Sequence, residues 1–235
     1  MTMRVGIIQS NYIPWKGYFD LIREADEFVL YDDVQYTRRD WRNRNRIKTA
    51  QGVQWLTIPV DVKGKYLQKI KDTRISEAGW GRIHWQTLCH SYGRAPYFRL
   101  YRERLEQLYL GSTSAFLSEV NQAWIACICE LLGIRTRITP SMDFRLTATE
   151  PSERLLEICL CSGATTYLSG PAARSYLDDT LFSQAGVDVG YMDYSGYPEY
   201  QQLYPPFDHA VSVLDLLFMT GPEAPAFLER RRHAA

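Results

Sequence analysis

Two short stretches near the start of the chain hold residue types that carry acid–base and polar-recognition chemistry. Gln9, Asn11, Tyr12, Trp15 and Lys16 form the first, and Asp32, Asp33, Gln35 and Tyr36 the second. A lysine, two carboxylates, amides and aromatics brought into one crevice would make a binding and acid–base site for a polar substrate. Asp33, Asp32 and Lys16 are the candidate catalytic groups, with Gln9, Asn11, Tyr12, Trp15 and Gln35 as substrate contacts. The competing reading is structural: Asp32 caps a turn, Asp33 pairs with an arginine, and the aromatics fill core. The run from Arg38 to Arg46 follows, with five arginines in nine residues around Trp41, Asn43 and Asn45. Planar guanidinium groups grip phosphates and carboxylates through paired hydrogen bonds, so Arg44, Asn45 and Arg46 are candidate ligands for a small anion. A solvated loop with local Asp pairs is the plainer alternative.

Further along, His84 stands beside Trp85 and is a candidate general base near neutral pH. His209, just before a terminal helix, serves either a ligand or that helix. Ser169-Gly170 ends a predicted strand and has the form of a ligand-contact turn, although Ser-Gly is also ordinary turn chemistry. Tyr197 lies in a segment over 194–207 rich in Tyr, Pro and Gly, read as an ordered aromatic loop. Many of the sixteen tyrosines and six tryptophans cluster with Pro, Gly, Asn and Asp in such turn-rich segments, where aromatics line pockets or pack loops onto a body.

These residues need a scaffold. Arg4–Gln9 and Glu27–Tyr31 read as strands, separated by a loop at 10–17 and an amphipathic helix at 18–25. Strand, loop, helix and strand predict a parallel α/β unit, whose ligands collect beyond the carboxyl ends of the strands. Strands are also predicted at 55–60, 72–75 (weaker), 135–138, 165–168 and 187–192. Helical spacing appears over 84–92, 97–108, 114–132, 152–161 (from a Ser152 cap), 172–177 and 211–219, with fraying expected at 229–235. The expected fold class is α/β: an open, largely parallel sheet in the N-terminal unit with a helical subdomain inserted or appended. One domain over residues 1–235 is expected, mainly helical over about 80–133.

The 27 Lys plus Arg balance the 27 Asp plus Glu. Neither nucleic acid nor an anionic membrane is expected as a partner. No apolar run approaches the ~20 residues of a membrane span, and the start lacks the pattern of a secretory signal. Two C-x-C pairs, Cys127/Cys129 and Cys159/Cys161, sit in helical patterns without a partnering C-x-x-C or histidine pair. No metal site is therefore expected, and an odd cysteine count points to the cytoplasm. The phosphate loop, the dinucleotide loop and the G-x-S-x-G elbow are absent, which disfavours a standard NTPase, dehydrogenase or serine hydrolase.

The stretch V-G-I-I-Q-S-N-Y-I-P-W-K-G-Y-F-D-L-I closely resembles the start of WbqC-like family proteins. So do F-V-L-Y-D-D-V-Q-Y at 28–36, W-R-N-R-N-R-I-K at 41–48, Y-G-R-A-P-Y-F at 92–98, Y-L-S-G-P-A-A at 167–173, Y-P-E-Y-Q-Q-L at 197–203 and H-A-V-S-V-L-D-L-L-F at 209–218. Ser10 departs from the Pro common there. The resemblance implies a tailoring enzyme of surface-polysaccharide (O-antigen-type) or specialised-metabolite biosynthesis. Its leading form is an acyltransferase that moves an acyl or aminoacyl group from a thioester, on coenzyme A or an acyl carrier protein, to an amine of a sugar or amino acid. Two alternatives stand beside it. One is a nucleotide-dependent activating enzyme, loosely similar to nucleotidyltransferases, although Trp15-Lys16-Gly17-Tyr18 stands where they carry H-x-G-H. The other is a non-catalytic scaffold of a biosynthetic complex that uses the aromatic loop. Oligomeric state is open.

Overall fold

The structure is a computed structural model that describes residues 2–229. The frayed tail expected at 229–235 falls, from residue 230 onward, outside the described residues. Five parallel strands form one sheet: β1 (Arg4–Ile8), β2 (Glu27–Leu30), β5 (Arg137–Pro140), β6 (Thr166–Ser169) and β7 (Asp188–Tyr191). Their order is β5-β2-β1-β6-β7. The chain winds outward from β1 to one edge, then returns to the other side of β1 and winds to the opposite edge. The switch of direction lies between β1 and β6, and crevices for ligands open at such points beyond the strand ends.

The sheet is parallel throughout and draws its strands from the whole chain. The helical segment is an insertion between β2 and β5. It opens with an antiparallel hairpin, β3 (Arg44–Thr49) and β4 (Gly52–Thr57), and continues through α2 (Trp80–Tyr92), α3 (Phe98–Gly111) and α4 (Leu117–Leu131). The strand expected at 72–75 is replaced by a short 3-10 turn at Ile70–Asp72, with only isolated bridges beyond it. Likewise 172–177 forms a 3-10 turn, Pro171–Ser175, and the strand expected at 55–60 runs earlier, as β4.

Alternation along the strands sends side chains to two cores. Phe28 and Leu30 of β2 face a core shared with α1 (Lys16–Glu24), the inserted helices and α7 (Val213–Thr220). Val5, Ile7 and Val29 face a second core under α5 (Pro151–Cys161) and α6 (Asp179–Gln184). Gly6 lets α1 seat closely on β1, since a Cβ there would meet Leu21 at 2.6 Å and Phe28 at 2.9 Å. α5 begins at Pro151 without the expected Ser152 cap. Proline suits a first helical position, where its missing N–H would be unsatisfied anyway. Ser212, with its side chain accepting from Leu214 N, caps α7.

Candidate functional site

Beyond the carboxyl ends of β1, β2 and β6 lies a cleft of about 850 Å³. Gln9, Asp33, Gln35 and Ser169, all singled out in the sequence, line it together with Lys69 and Arg154. Topology explains the convergence: parallel strands deliver the loops after β1, β2 and β6 to the same edge. Asp33 is the hub. One carboxylate oxygen meets Lys69 Nζ at 2.8 Å and Lys71 Nζ at 3.1 Å, and the other meets Arg154 at 3.2 Å. Partial burial works to raise the Asp33 pKa, but hydrogen bonds and charge from Lys69 and Lys71 outweigh it and hold the carboxyl below its usual range. Arg154 is oriented further by bonds to Tyr31 Oη and Ala148 O, each 3.0 Å. Lys69 and Arg154 line the cleft while Lys71 reaches Asp33 from outside the lining, so three cations on one carboxylate leave a surplus of positive charge, an arrangement suited to an anion.

The other sequence candidates fall into separate places. Asp32 is fully buried, and its Oδ1 accepts from Ser10 N at 2.8 Å. Burial raises its pKa against the opposing Ser10 bond and the nearby Arg42. Ser10, the departure from the family pattern, thus supplies an N–H that a proline would lack; its hydroxyl accepts from Asn121 at 3.1 Å. Asn45 is buried and donates to the carbonyls of Tyr12 and Ile13 at 3.1 and 3.0 Å. It thereby holds Ile13 at φ 36°, a strained left-handed conformation for a branched residue. Asn11, Trp15 and Asn45 line a second, smaller pocket with Pro14, Trp41 and Ala210. Arg44 and Arg46 lie on the outer face of the hairpin beside it, each stacked on Trp55. They belong to a strand, not to the loop that the arginine run suggested.

Lys16 is enclosed by the aromatic loop. Its Nζ donates to Pro198 O at 3.1 Å and lies 4.9 Å from the Tyr197 ring centre, and burial pulls its pKa down to about 8 against the opposing charge of Glu199. Tyr197 donates to Asp20 at 2.6 Å, and His209, whose pKa is lowered by burial and by Lys16, leaves a buried Nδ1 without a hydrogen-bond partner.

His84 sits in an aromatic box with Trp80, Tyr12 and Tyr109, away from the residues that line the cleft. Nε2 lies 3.2 Å from Thr57 O, so it carries the proton, and Nδ1 accepts from Tyr12 Oη at 2.8 Å. Tyr12 Oη in turn accepts from Tyr109 Oη at 2.7 Å. Burial lowers the His84 pKa from 6.5 to about 4, opposed by the Thr57 bond. The unfolded chain takes up this proton first, so the stability that neutral His84 confers is present above pH 6.5 and is lost as pH falls toward about 4. The loss should reach ~3 kcal/mol. Thermal midpoints from pH 7.5 to 4 should therefore fall more steeply for the wild type than for His84→Phe; parallel curves would disprove this coupling.

The cysteines are all free thiols. Burial pushes Cys129 and Cys159 up to about 12, so they behave as small core residues. Among the described residues, no group of three or more His, Cys, Asp or Glu is placed to hold a metal ion, and no helix is long and apolar enough to cross a membrane.

Residues 9–227 match the WbqC-like protein family. The chain belongs to that family. It is also similar to the uncharacterized protein Rv1507c of Mycobacterium tuberculosis, with 50% identity over 225 residues, covering 96% of this chain and 97% of that protein. No solved structure matches. The matched region takes in every element that builds the WbqC-like cleft except β1, which ends at Ile8 just before it. Lys69 and Arg154, the cations that line that cleft, and Lys71, which joins them on Asp33, are not among the sequence candidates. Arg154 lies on an ordinary amphipathic helix and Lys69 in a turn, far along the chain from Asp33, and only the sheet topology brings them together.

Proposed function

We propose that this WbqC-like protein is a transferase that binds a phosphate-bearing donor across the switch point of its parallel sheet. The observation that carries this reading is the cation trio Lys69, Lys71 and Arg154, held in register by Asp33 at a cleft of about 850 Å³. Arginine and lysine donors with Gln9, Gln35 and Ser169 nearby suit phosphate oxygens, and the volume suits a nucleotide-sized group.

The reaction we favour is acyl transfer from a coenzyme A thioester to an amine. The amine nitrogen attacks the thioester carbonyl, the C–N bond forms, the C–S bond breaks, and the thiolate leaves and takes up the proton that the nitrogen loses. The cations stabilise developing negative charge. Asp33, already neutralised by its partners, acts here as a positioning residue that aims Lys69 and Arg154. The strand order favours a second reading, in which a nucleoside triphosphate is the donor and the enzyme activates its substrate. The scaffold reading has less support, because the tyrosines of the aromatic loop are turned into internal bonds, Tyr197 to Asp20 and Tyr200 to Asp215.

Thermal shift against acetyl-coenzyme A, coenzyme A, ATP and inorganic phosphate tests the proposal. A ligand present at 100 times its Kd stabilises the native state by about 2.7 kcal/mol. A shift with acetyl-coenzyme A beyond that with phosphate supports acyl transfer, and a shift with ATP alone moves the assignment to activation. No shift with either would overturn a phosphorylated small-molecule donor.

A further inference from the structure

The second pocket, on the hairpin side of the loop at 9–13, has a volume of about 210 Å³ and is lined mainly by apolar surface. Its walls include the indoles of Trp15 and Trp41, and Trp41 is 40% exposed while Trp55 beside it is 41% exposed. The two rings lie 5.3 Å apart between centres. The Arg46 guanidinium stacks against both, at 5.8 Å from the Trp41 centre and 5.9 Å from that of Trp55. Arg44 stacks on Trp55 at 4.1 Å.

Arg46, like Arg44 two positions before it on the same strand, lacks an anion, and the Nε of each is buried without a hydrogen-bond partner. Lys69, Lys71 and Arg154 share Asp33, and Arg42 meets Asp40 at 3.4 Å. No carboxylate among the described residues lies within salt-bridge reach of Arg46, and its Nε is buried without a hydrogen-bond partner. A guanidinium with a buried orphan N–H is costly unless an acceptor satisfies it.

We propose that this pocket is a second ligand site, for a small ring-bearing anion: a ring of hexose or phenyl size on the lining indoles, with one phosphate or carboxylate at the pocket's edge on Arg46, which follows the lining Asn45 and lies 5.8 Å from the Trp41 ring centre. Indole faces receive either the C–H face of a sugar or an aryl ring, and the guanidinium offers paired donors to the anionic group. The pocket adjoins the donor cleft through Arg42, which donates to Asn11 on the pocket side and to Gln9, at 3.1 Å, on the cleft side. Its ligand is thus placed to be the acceptor. That last assignment rests on the donor reading, whereas binding in the pocket does not.

The test is a tryptophan-fluorescence titration of the full chain with glucose 1-phosphate, glucuronate and phenyl phosphate, against glucose and inorganic phosphate. A saturable change with at least one ring-bearing anion is expected, with affinity lowered about tenfold or more in Arg46→Ala and also weakened in Trp41→Ala. The sugar and aryl arms then identify the ring. The donor cleft has no tryptophan in its lining and this pocket has two, so the fluorescence response separates failure of this site from failure of the donor cleft. No saturable response to any ring-bearing anion, equal affinity for inorganic phosphate, or unchanged affinity in a folded Arg46→Ala would each overturn the proposal.

Discussion

Arg154→Gln combined with Lys69→Gln is expected to weaken binding of the phosphorylated donor by ~100-fold, with little change in thermal stability. Each charge-assisted bond to phosphate contributes about 1.5–3 kcal/mol, so losing two exceeds a factor of ten even with partial compensation. For Lys69, 45% exposed, stability should hold because exposed ion pairs contribute only about 0–1 kcal/mol to folding, whereas Arg154, 19% exposed and bonded also to Tyr31 and Ala148, accounts for what change there is. Calorimetric titration of wild type and variant with the donor found by thermal shift reads the effect directly. Equal affinities would remove the cleft from donor binding. Asp33→Asn separates its two possible roles: loss of a general base would abolish turnover and leave donor affinity intact, whereas loss of the positioning carboxylate would alter affinity. Because Lys69 and Lys71 hold Asp33 below the usual carboxylate range, it stays ionised from pH 8 down to 5. Donor binding should then show no Asp33-linked transition in that interval.

The opening β1–α1–β2 unit was legible because its strands are short β-branched runs and its helix is amphipathic. The same reasoning brought Gln9, Asp33 and Gln35 to one edge, and the strand before Ser169-Gly170 brought that turn beside them. The hairpin was not legible as a strand pair. Arg44 and Arg46 are half-buried and Asn45 and Ile47 buried, but Lys48 and Thr49 are both buried, so alternation in burial covers only the first half of β3 and is nearly invisible in hydrophobicity. The sequence places the N-terminal cluster in one crevice only if the loop after β1 runs as a unit. Ile13, at its positive φ, turns that loop, so Gln9 faces the cleft while Trp15 faces the hairpin pocket. Lys16 and His84 are titratable residues whose neighbours come from 182 and 72 positions away, and no local pattern announces such partners.

Asp215→Ala is expected to cost about 3–5 kcal/mol, the range for removing one member of a buried, bonded charged cluster. Asp215 is fully buried in α7. It accepts from Tyr92 at 2.9 Å on α2, and from Tyr200 at 2.8 Å and Gln202 at 2.9 Å on the aromatic loop. Burial raises its pKa, and these three donors and Lys48 oppose the rise. Truncation leaves the buried Tyr92 hydroxyl and the half-buried Tyr200 hydroxyl without their acceptor, while Gln202 keeps Asp208 O at 3.0 Å. For a chain of this size the thermal midpoint should drop by roughly 10 °C, and Asp215→Asn, which keeps one acceptor oxygen, should fall between. A loss below about 1 kcal/mol would mean that water replaces the carboxylate freely. The same loop encloses Lys16 and sets its pKa near 8 by burial, so freeing the loop should return Lys16 toward 10.5. A carboxylate on the last helix would then govern the protonation of a lysine at the start of the first, which is how a loop without regular structure comes to matter for the chemistry of this fold.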